Sequence, residues 1–549
     1  MTRPKPERLE MKIEELEAIV ARTETGALDP ADQERLRSAI ETLGWLTNEI
    51  GQKSASIARL QQLLFGAKTE KTSRILGTKA EERRPESSEV PKEKPKGHGR
   101  NGAAAYPGAE RIRVPHESLK AGCSCPECEK GKVYLLKEPQ RIVRVTGQAP
   151  LRARVWEKET FRCNLCGKVF AAKSPEGVGE KKYDEAAAVV IGLLKYGTGT
   201  PFNRLEALQG NLGIPLPAAT QWEIVEEAAS QIAPAHQELI RQAAQGEVIH
   251  NDDTPMKILA LSAGRSSGAQ EIEPEEDVGH EEASERTGVF TSGIVSTNEG
   301  RRIGLFFTGS KHAGENLTEV LRKRAAELPP PIQMCDALSR NSPSDEFETV
   351  LSNCVGHGRR KFVELAEIFP DECRHVIESL RDVYRIDAIA RERSPSPEAR
   401  LELHQRESQK IMDDLRTWME RKLTGKEVEP NSALGKAMNY MLTRWEKMTL
   451  FLRKPGAPLD NNICERALKK AILHRKNALF YKTQNGARVG DIFMSLIHTA
   501  ELSGANAFEY LTELLKHAEE LKREPASWMP WNYTERLAKM APAAPAEAR

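Results

Sequence analysis

The chain has 549 residues, which is too long for one hydrophobic core, and usual domain sizes predict roughly three to five structural units. Its 81 Lys and Arg residues balance 80 Asp and Glu residues, so net charge alone cannot attract nucleic acid, and any such binding must come from local basic patches. Because the first residues are polar and the longest apolar run, residues 186–194, is too short to span a bilayer, we expect a cytoplasmic protein with no membrane partner.

A heptad pattern runs through the N-terminal region. Leucine or isoleucine recurs at every seventh position, at residues 36, 43, 50, 57 and 64, which is the spacing of a coiled-coil seam. The companion positions are mostly polar, so the seam is expected either to pair two chains weakly or to fold back on residues 9–20, with Asp29-Pro30 as the turn. Residues 78–108 are rich in Glu, Lys, Pro and Gly and are predicted to form a linker.

Two Cys-x-x-Cys pairs follow the linker. Cys125 and Cys128 form the first pair, and Cys163 and Cys166 form the second, with strand-like alternation between them. Two pairs of thiolates complete a tetrahedral zinc site. The alternative, a thioredoxin-type redox site, needs only one pair and a βαβ context that the sequence lacks. We therefore predict a zinc ribbon with structural Zn²⁺, in which Cys123 is a further candidate ligand.

Helical sequence extends from about residue 183 to residue 244. Helices are predicted at 202–209 and 218–229, separated by a segment that contains Gly213. A helix, a short turn with glycine and a second helix is the pattern of a helix-turn-helix DNA-binding motif, but it is also the pattern of an ordinary helical bundle. Glu223, Glu226 and Glu227 on the second helix suit a DNA groove poorly.

Strand-like sequence begins near residue 247. The apolar run 247–261 is interrupted by Asp252 and Asp253, and burying carboxylates there is costly unless they bind a cation. Further strands are predicted at 288–295, 302–307 and 331–336, with a helix at 314–327. The last strand ends in Asp336. Three strands, a helix and a fourth strand, with acids on the first and fourth strands, follow the ribonuclease-H-like order, and a third acid on a later helix would complete it.

A basic helix supplies that third acid. Asp460 follows a Pro-Gly-Ala-Pro break and has N-cap chemistry, which predicts a helix with Glu465 and Lys469 on one face. Residues 453–482 contain eight Lys or Arg residues against two acids, which suits a nucleic-acid backbone beside a metal-binding carboxylate. The alternative is a solvated helix with an internal Glu–Lys pair. The cations expected to contact DNA here are Arg466, Lys469, Lys470, Arg475 and Lys476.

A second basic segment follows a predicted strand. His357 is followed by Arg359, Arg360 and Lys361 at the step from that strand into a helix, a position that favours contact with phosphates. Surface solvation of these side chains is the alternative. His357 itself is either a phosphate or proton donor or a structural histidine. Helical sequence then continues to about residue 452.

Seven segments, in order, resemble the insertion-sequence 66 family of bacterial transposases. Three of them are Asn-Asp-Asp-Thr-Pro at 251–255, His-Gly-Arg-Arg-Lys-Phe at 357–362, and Asp-Asn-Asn-x-x-Glu-Arg at 460–466 followed by Arg-Lys-Asn at 475–477. The others are Leu-Phe-Gly-Ala-Lys-Thr-Glu-Lys at 64–71, Gly-His-Gly-Arg at 97–100, the paired Cys-x-x-Cys segments, and Met-Pro-Trp-Asn-Tyr at 529–533.

The resemblance implies a DDE transposase whose three acids are Asp252, Asp336 and Glu465, holding Mg²⁺ or Mn²⁺. It further implies that the enzyme binds transposon ends, frees 3′-hydroxyls by hydrolysis and joins them to target DNA, as a homodimer or higher oligomer, with accessory proteins from the same element as further candidate partners. The chain departs from the family's pattern at Asp253, where glutamate is usual, and after Asp336, where Ala337-Leu338 replaces Gly-Tyr. Asp345 is therefore an alternative middle acid.

We thus expect a multidomain α+β protein. The predicted units are a helical or coiled-coil region at 1–72, a linker at 73–118, a zinc ribbon at 119–172, a helical region at 178–245, a ribonuclease-H-like catalytic domain at 246–505 with a helical insertion at about 359–455, and a C-terminal helix and tail at 506–549. Two alternative functions remain open at this point: a ribonuclease-H-like nuclease that cuts without joining, and a catalytically inactive, zinc-dependent DNA-binding protein.

Overall fold

The computed structural model describes residues 181–262, 288–393 and 396–540, together with short pieces before them. These pieces are residues 19, 22, 29–38, 72, 121–124, 130–133, 150–157, 159–162 and 169–173. The described residues belong to two units, one within 82–152 and the other made of the residues before and after that range. Most of the predicted heptad seam lies outside the described residues, and so do the four predicted zinc ligands Cys125, Cys128, Cys163 and Cys166.

Described residues on either side of each Cys-x-x-Cys pair are bonded as antiparallel backbone. In the smaller unit, the Gly122 N–H donates to the Val133 carbonyl at 2.8 Å, and the Val133 N–H donates to the Cys123 carbonyl at 2.9 Å. In the larger unit, strand β1 (Thr160–Arg162) pairs antiparallel with strand β2 (Val169–Ala171). Zinc binding by the four cysteines stays a prediction.

The predicted turn at Asp29-Pro30 coincides with a helix start. Residues 30–38 are helical, and the Asp29 carboxylate accepts a hydrogen bond from the Asp32 N–H at 2.8 Å. Arg22 forms an ion pair with Asp32 at 2.7 Å across this turn. Folding of the seam back on residues 9–20 and pairing of two chains through it both stay predictions, because most of those residues lie outside the described part of the chain.

Within the described residues 181–247, three α-helices precede the main sheet. Helix α1 (Glu185–Gly192) begins at Asp184, whose side chain accepts a hydrogen bond from the Ala187 N–H at 2.8 Å, and it continues into a π-helix (Leu193–Gly197). Helices α2 (Phe202–Asn211) and α3 (Ala218–Ala243) follow. The predicted end of α3 at residue 229 is wrong, because buried residues such as Ile232 and Leu239 continue its apolar face past Pro234.

Five strands form the main sheet, in the order β5-β4-β3-β6-β7. Strands β3 (Val248–Pro255), β4 (Phe290–Asn298) and β5 (Arg301–Gly309) are antiparallel neighbours. Strands β6 (Ile332–Cys335) and β7 (Val350–Asn353) run parallel to β3. Two short helices, α4 (Leu259–Ser262) and α5 (Ala313–Leu321), lie between strands. The predicted strand 247–261 is therefore too long, since the chain turns into α4 after β3.

A helix covers the edge of this sheet. Helix α12 (Gln484–Leu502) lies against edge strand β5. Asp491, Ser495 and Thr499 recur at the helical spacing, and they accept hydrogen bonds from the N–H groups of Thr308, Phe306 and Gly304 at 2.7, 2.9 and 3.1 Å. The open donors of the edge strand are thereby satisfied by side chains, which prevents pairing with another chain at this edge.

A helical segment between β7 and the basic helix has a core of its own. It consists of α6 (Val355–Leu365), α7 (Pro370–Arg393), α8 (Pro397–Thr424), α9 (Ala433–Thr443) and α10 (Trp445–Met448), and it ends in a 3₁₀ turn (Leu450–Leu452). Its centre is apolar, with Leu380, Met412 and Met438 among the fully buried side chains. Helix α11 (Asn462–Ala478) returns the chain to the sheet.

Three more helices end the described chain: α13 (Ala507–Lys516), α14 (Ala518–Arg523) and α15 (Tyr533–Met540). The side chain of Trp528 is fully buried, and its carbonyl accepts a hydrogen bond from the Tyr510 hydroxyl at 3.0 Å. Among the described helices, none is both long enough and apolar enough to cross a membrane.

Burial of His474 predicts a pH-dependent contribution to stability. Its ring stacks against Tyr196 and Tyr481, with centroids 6.0 and 4.6 Å away, and burial with nearby Lys195 lowers its pKa from 6.5 to about 3. The unfolded chain therefore takes up this proton first, and stability is lost as the pH falls below 6.5. We expect His474→Phe to gain about 2 kcal/mol relative to the wild type between about pH 6.5 and 5, measured by urea unfolding. A difference between the two proteins that is independent of pH would contradict this.

A candidate carboxylate active site

Parallel pairing of β3 with β6 brings the first two predicted acids together. His250 lies opposite Met334 in this pair, so two residues further along Asp252 and Asp336 reach the same level and the same face of the sheet. Burial raises the pKa of Asp252 to about 8, and the charge of Asp336 is the next largest cause, with Asp253 and Glu465 adding to it. Asp252 thus has both other predicted acids close enough to disfavour its ionisation.

The loop after β6 holds Asp336 in place. One carboxylate oxygen of Asp336 accepts hydrogen bonds from the Leu338 N–H at 3.3 Å and from the Asn341 side-chain amide. Asn341 is held in turn through its carbonyl, which accepts hydrogen bonds from the side chains of Asn251 and Gln333 at 2.8 and 2.7 Å. Burial raises the pKa of Asp336, while His357 and Arg340 act in the opposite direction. Ala337-Leu338 replaces the Gly-Tyr of the family pattern, but this replacement leaves the hydrogen bonds of Asp336 intact, because Leu338 contributes only a backbone N–H.

The alternative middle acid lies elsewhere. Asp345 is exposed in the loop between β6 and β7, and it is not among the charges that raise the pKa of Asp252. The geometry therefore favours Asp336 over Asp345 as the neighbour of Asp252.

Helix α11 carries Glu465 in its first turn. The expectation that Asp460 is the N-cap is wrong by one residue: the helix begins at Asn462, and Asp460 accepts a hydrogen bond from the Asn462 N–H at 3.1 Å. Asn461 occupies the N-cap position, but its side chain joins the helix to β3. Its amide donates to the Asn251 carbonyl at 3.1 Å, and its oxygen lies 3.1 Å from His250 Nδ1.

A glycine lets this helix approach the sheet. Gly293 on β4 lies opposite Asp252, and the Cys464 thiol donates to its carbonyl at 3.2 Å. A Cβ atom at position 293 would stand 3.0 Å from the side chain of Leu468, which is closer than packed carbon atoms normally approach. The short distance between α11 and β4 is what brings Glu465 to the end of β3.

Glu465 faces helix α6 rather than its own helix. His357 Nδ1 lies 3.9 Å from one carboxylate oxygen, and Arg360 lies 3.6 Å from the other. The thiol of Cys354, the ring of His357 and the carboxylate of Glu465 have donor atoms within 4.8 Å of one another, so they could hold a metal ion. Burial raises the pKa of the Cys354 thiol to about 12. A pair between Glu465 and Lys469, the alternative weighed from the sequence, is not formed.

The chemistry of the three acids fits a hard divalent cation. Asp252, Asp336 and Glu465 supply only carboxylate oxygens, which are the donors that Mg²⁺ and Mn²⁺ prefer. Burial raises the pKa of Asp252, and the charges of Asp336 and Glu465 raise it further. A divalent ion would offset these charges, so the residues present fit the metal that the resemblance implies.

Asp253 has a different environment from Asp252. Alternation along β3 directs it to the other face, where its side chain is 1% exposed and lies 2.8 Å from His312 Nδ1 and 3.8 Å from Arg340. His312 is the N-cap of α5. Sequence reasoning missed His312 and Asn341, because nothing local to these residues marks them as partners of the acids. Asn461 belongs to the 460–466 motif, but that motif does not show that its side chain bonds to β3.

The eight predicted DNA-contacting cations fall into two groups. Arg466, Lys469 and Lys476 are exposed and form no ion pair with another described residue. The remaining five have contacts within the protein: Lys470 with Glu501 at 2.8 Å, Arg475 with Thr254 at 3.3 Å, Arg360 with Glu465, Lys361 over the Tyr440 ring at 4.4 Å, and Arg359 with Thr72 at 3.4 Å. Arg359 is also buried, which makes it the weakest candidate for direct phosphate contact.

Comparison with known proteins adds to this geometry. A sequence model of the protein family described as "Transposase IS66 family" matches residues 183–272 and 294–489, a range that includes all three acids. The chain is 25% identical to the uncharacterized protein y4jD of Sinorhizobium fredii over 528 residues, which cover 91% of this chain and 97% of that protein. It is also 25% identical to the uncharacterized protein y4hP of the same organism over 436 residues, which cover 74% of this chain and 72% of that protein.

Proposed function

The chain belongs to the IS66 family of transposases, and from this premise we propose that it cleaves and joins DNA with Asp252, Asp336 and Glu465 as its catalytic acids. The observation that carries the proposal is that these acids, far apart in sequence, lie close enough for Asp336 and Glu465 to raise the pKa of Asp252. Perturbed carboxylates that share one site are typical of catalytic centres.

The sheet topology supports a ribonuclease-H-like catalytic domain. Three antiparallel strands are followed by a helix and two parallel strands, with Asp252 on the first strand and Asp336 directly after the fourth. Helix α11 then brings in Glu465 from the far side of the helical segment. This is the order of elements expected from the sequence for that fold.

Asp252, Asp336 and Glu465 would hold two Mg²⁺ or Mn²⁺ ions. When bound, such ions activate an attacking hydroxyl and stabilise the leaving oxygen of an in-line displacement at phosphorus. Water would first break the phosphodiester bond at each transposon end and release a 3′-hydroxyl. That hydroxyl would then attack a target phosphodiester, so that one bond forms as another breaks and no protein nucleophile is required.

The neighbouring side chains have positioning roles in this proposal. Asn341 and the Leu338 N–H fix the orientation of Asp336, and Asn461 fixes α11 relative to β3. Arg360 and His357 beside Glu465 are placed to neutralise phosphate once a cation takes up the carboxylate. The exposed cations of α11, Arg466, Lys469 and Lys476, would neutralise the DNA backbone. Lys470 and Arg475 on the same helix and Lys361 on α6 would add to this effect.

The remaining parts of the proposal concern binding and assembly. We propose that Cys125, Cys128, Cys163 and Cys166 hold structural Zn²⁺, in support of which the described backbone flanking each pair is antiparallel. A homodimer or higher oligomer would hold two transposon ends together through the N-terminal helices, and proteins of the same element remain candidate partners.

In the helical region at 178–245, Glu223 and Glu227 lie on the exposed face of α3. Their negative charges favour an ordinary helical bundle over a helix that binds in a DNA groove.

A strand-transfer assay with pre-cleaved transposon ends tests this function. With Mg²⁺ or Mn²⁺ present, we expect the purified chain to join the 3′-hydroxyl of the ends to a target plasmid, and to release the same ends from uncleaved DNA. Cleavage without joined product would instead support a nuclease. DNA binding without cleavage or joining, with both ends and metal supplied, would support the inactive DNA-binding protein.

A further inference from the structure

An exposed leucine occupies a strained turn at the end of helix α11. Leu479 has φ 69° and ψ −41°, and the Phe480 N–H donates to the Ala478 carbonyl at 2.9 Å across it. This is a γ-turn with positive φ, a conformation that is rare and unfavourable for a bulky residue. The side chain of Leu479 is nevertheless 64% exposed, so no burial within the described protein compensates the strain. Such outliers concentrate at functional sites.

The turn is held rigidly beside the catalytic strand. The Tyr481 N–H donates to the Lys257 carbonyl at 2.8 Å, and the Leu259 N–H donates to the Tyr481 carbonyl at 2.9 Å. Arg475, one turn earlier in α11, reaches Thr254 at 3.3 Å. Tyr481 itself is buried and stacks on His474. Leu479 therefore lies two residues before a position that is hydrogen-bonded to the segment following β3.

The surface around Leu479 combines apolar and basic side chains. Phe480 is 39% exposed. Lys476 and Lys482 are exposed and lie close to it in sequence, and Lys257 is exposed on the segment that is hydrogen-bonded to Tyr481. No acidic residue occurs between residues 466 and 490 or between 254 and 262. Exposure of leucine and phenylalanine side chains to water is unfavourable. A polyanion with an apolar interior could contact both these side chains and the lysines around them. Duplex DNA has a charged backbone outside and stacked bases inside.

We propose that Leu479 and Phe480 form a wedge that enters the base stack of the bound transposon end. Apolar side chains that enter DNA in this way partly unstack a base step and bend the duplex. The proposal rests on the proposed function, and it adds a DNA-distorting site that is separate from the carboxylates. Rigid anchoring of the turn would let the strain be retained in the free protein, so that the wedge is already in place when DNA arrives.

The position of the wedge predicts where the DNA is distorted. Leu479 follows Glu465 by fourteen residues of helix, which corresponds to about 21 Å along α11. Lys257, whose carbonyl is bonded to Tyr481, follows Asp252 by five residues, of which the first three lie in β3, so the two are at most about 17 Å apart. Both routes place the wedge at a similar distance from the acids. At about 3.4 Å per base pair, the distorted step lies roughly five or six base pairs from the cleaved phosphate.

A scan with 2-aminopurine across the transposon end tests the wedge in the full chain. We expect fluorescence to rise on binding at positions roughly five or six base pairs from the cleaved phosphate, and this rise to be lost in Leu479→Gly. Glycine accepts positive φ without strain, so the variant should melt at the same temperature as the wild type or higher. Loss of the signal together with unreduced stability is an outcome that a purely structural leucine would not produce. Leu479→Asn, which also tolerates this φ, should behave alike.

Leu212→Gly is the matched control, because Leu212 is also an exposed leucine that ends a helix. It should leave the fluorescence rise unchanged. A 2-aminopurine profile that is flat, or that is the same in Leu479→Gly and the wild type while ends are still cleaved and joined, would overturn the wedge and leave the proposed function standing. If the wild type neither cleaves nor joins the ends, both proposals fail.

Discussion

Asp252→Asn is expected to lower the rates of end cleavage and strand transfer by on the order of 10³-fold or more, while DNA binding persists. Asparagine preserves the size of the side chain and one oxygen, but it removes the charge that would hold a divalent cation between β3, β6 and α11. Rates are compared with wild type under saturating DNA in Mg²⁺ and in Mn²⁺.

The same substitution should stabilise the metal-free protein. Burial and the facing acids raise the pKa of Asp252 from 3.8 to about 8, so ionisation of this carboxyl destabilises the fold increasingly as the pH rises from 3.8 to about 8. At pH 7.5 without divalent cations, we expect Asp252→Asn to increase the free energy of unfolding by about 2 kcal/mol or more. Mg²⁺ should stabilise the wild type and not the variant. Equal activity, or a variant that is equally stabilised by Mg²⁺, would contradict the assignment.

Asp336→Asn is expected to reduce both reactions to a similar extent, on the order of 10³-fold. Asp336 lies beside Asp252 at the end of the neighbouring parallel strand, with its orientation set by Leu338 and Asn341. Asp345→Asn is the matched control, since Asp345 is an exposed aspartate nine residues later in the same connection. It should retain wild-type rates in the cleavage and strand-transfer assays.

The opposite pattern, with an active Asp336→Asn and an inactive Asp345→Asn, would move the middle acid to residue 345. It would require the loop between β6 and β7 to rearrange when DNA and metal bind. If both variants were fully active, neither Asp336 nor Asp345 would be a ligand of the catalytic metal.

Much of the proposed site could be predicted because its acids interrupt local patterns. Asp252 interrupts an apolar strand, Asp336 ends one, and Glu465 stands in a basic helix, and each such conflict is visible within about ten residues of sequence. Strands β4, β5 and β6 and helix α11 were predicted to within a few residues. Helix and strand ends were less accurate: α3 continues past Pro234, and α5 ends at Leu321 rather than near residue 327.

The contacts that support the acids could not be predicted in this way. Asn461 joins His250 across 211 residues of sequence, and Arg360 was predicted to contact DNA but also faces Glu465. The side chains of α12 that satisfy the edge of β5 lie more than 180 residues from their partners. A local period or motif does not identify the partner in any of these pairs, because a hydrogen bond between distant segments depends on where the whole sheet and its helices place them.

The sequence by itself determined which residue types are present for the chemistry: three carboxylates in apolar or basic surroundings, four paired cysteines, and cations concentrated around Glu465. These follow from local composition and spacing, which short-range physics governs. Only the tertiary structure decided that Asp336 rather than Asp345 approaches Asp252, that Asp253 turns away to His312, and that Leu479 is held exposed in a strained turn. Those outcomes depend on strand register and helix packing, in which segments distant in sequence must satisfy one another's hydrogen bonds and close-packing at the same time.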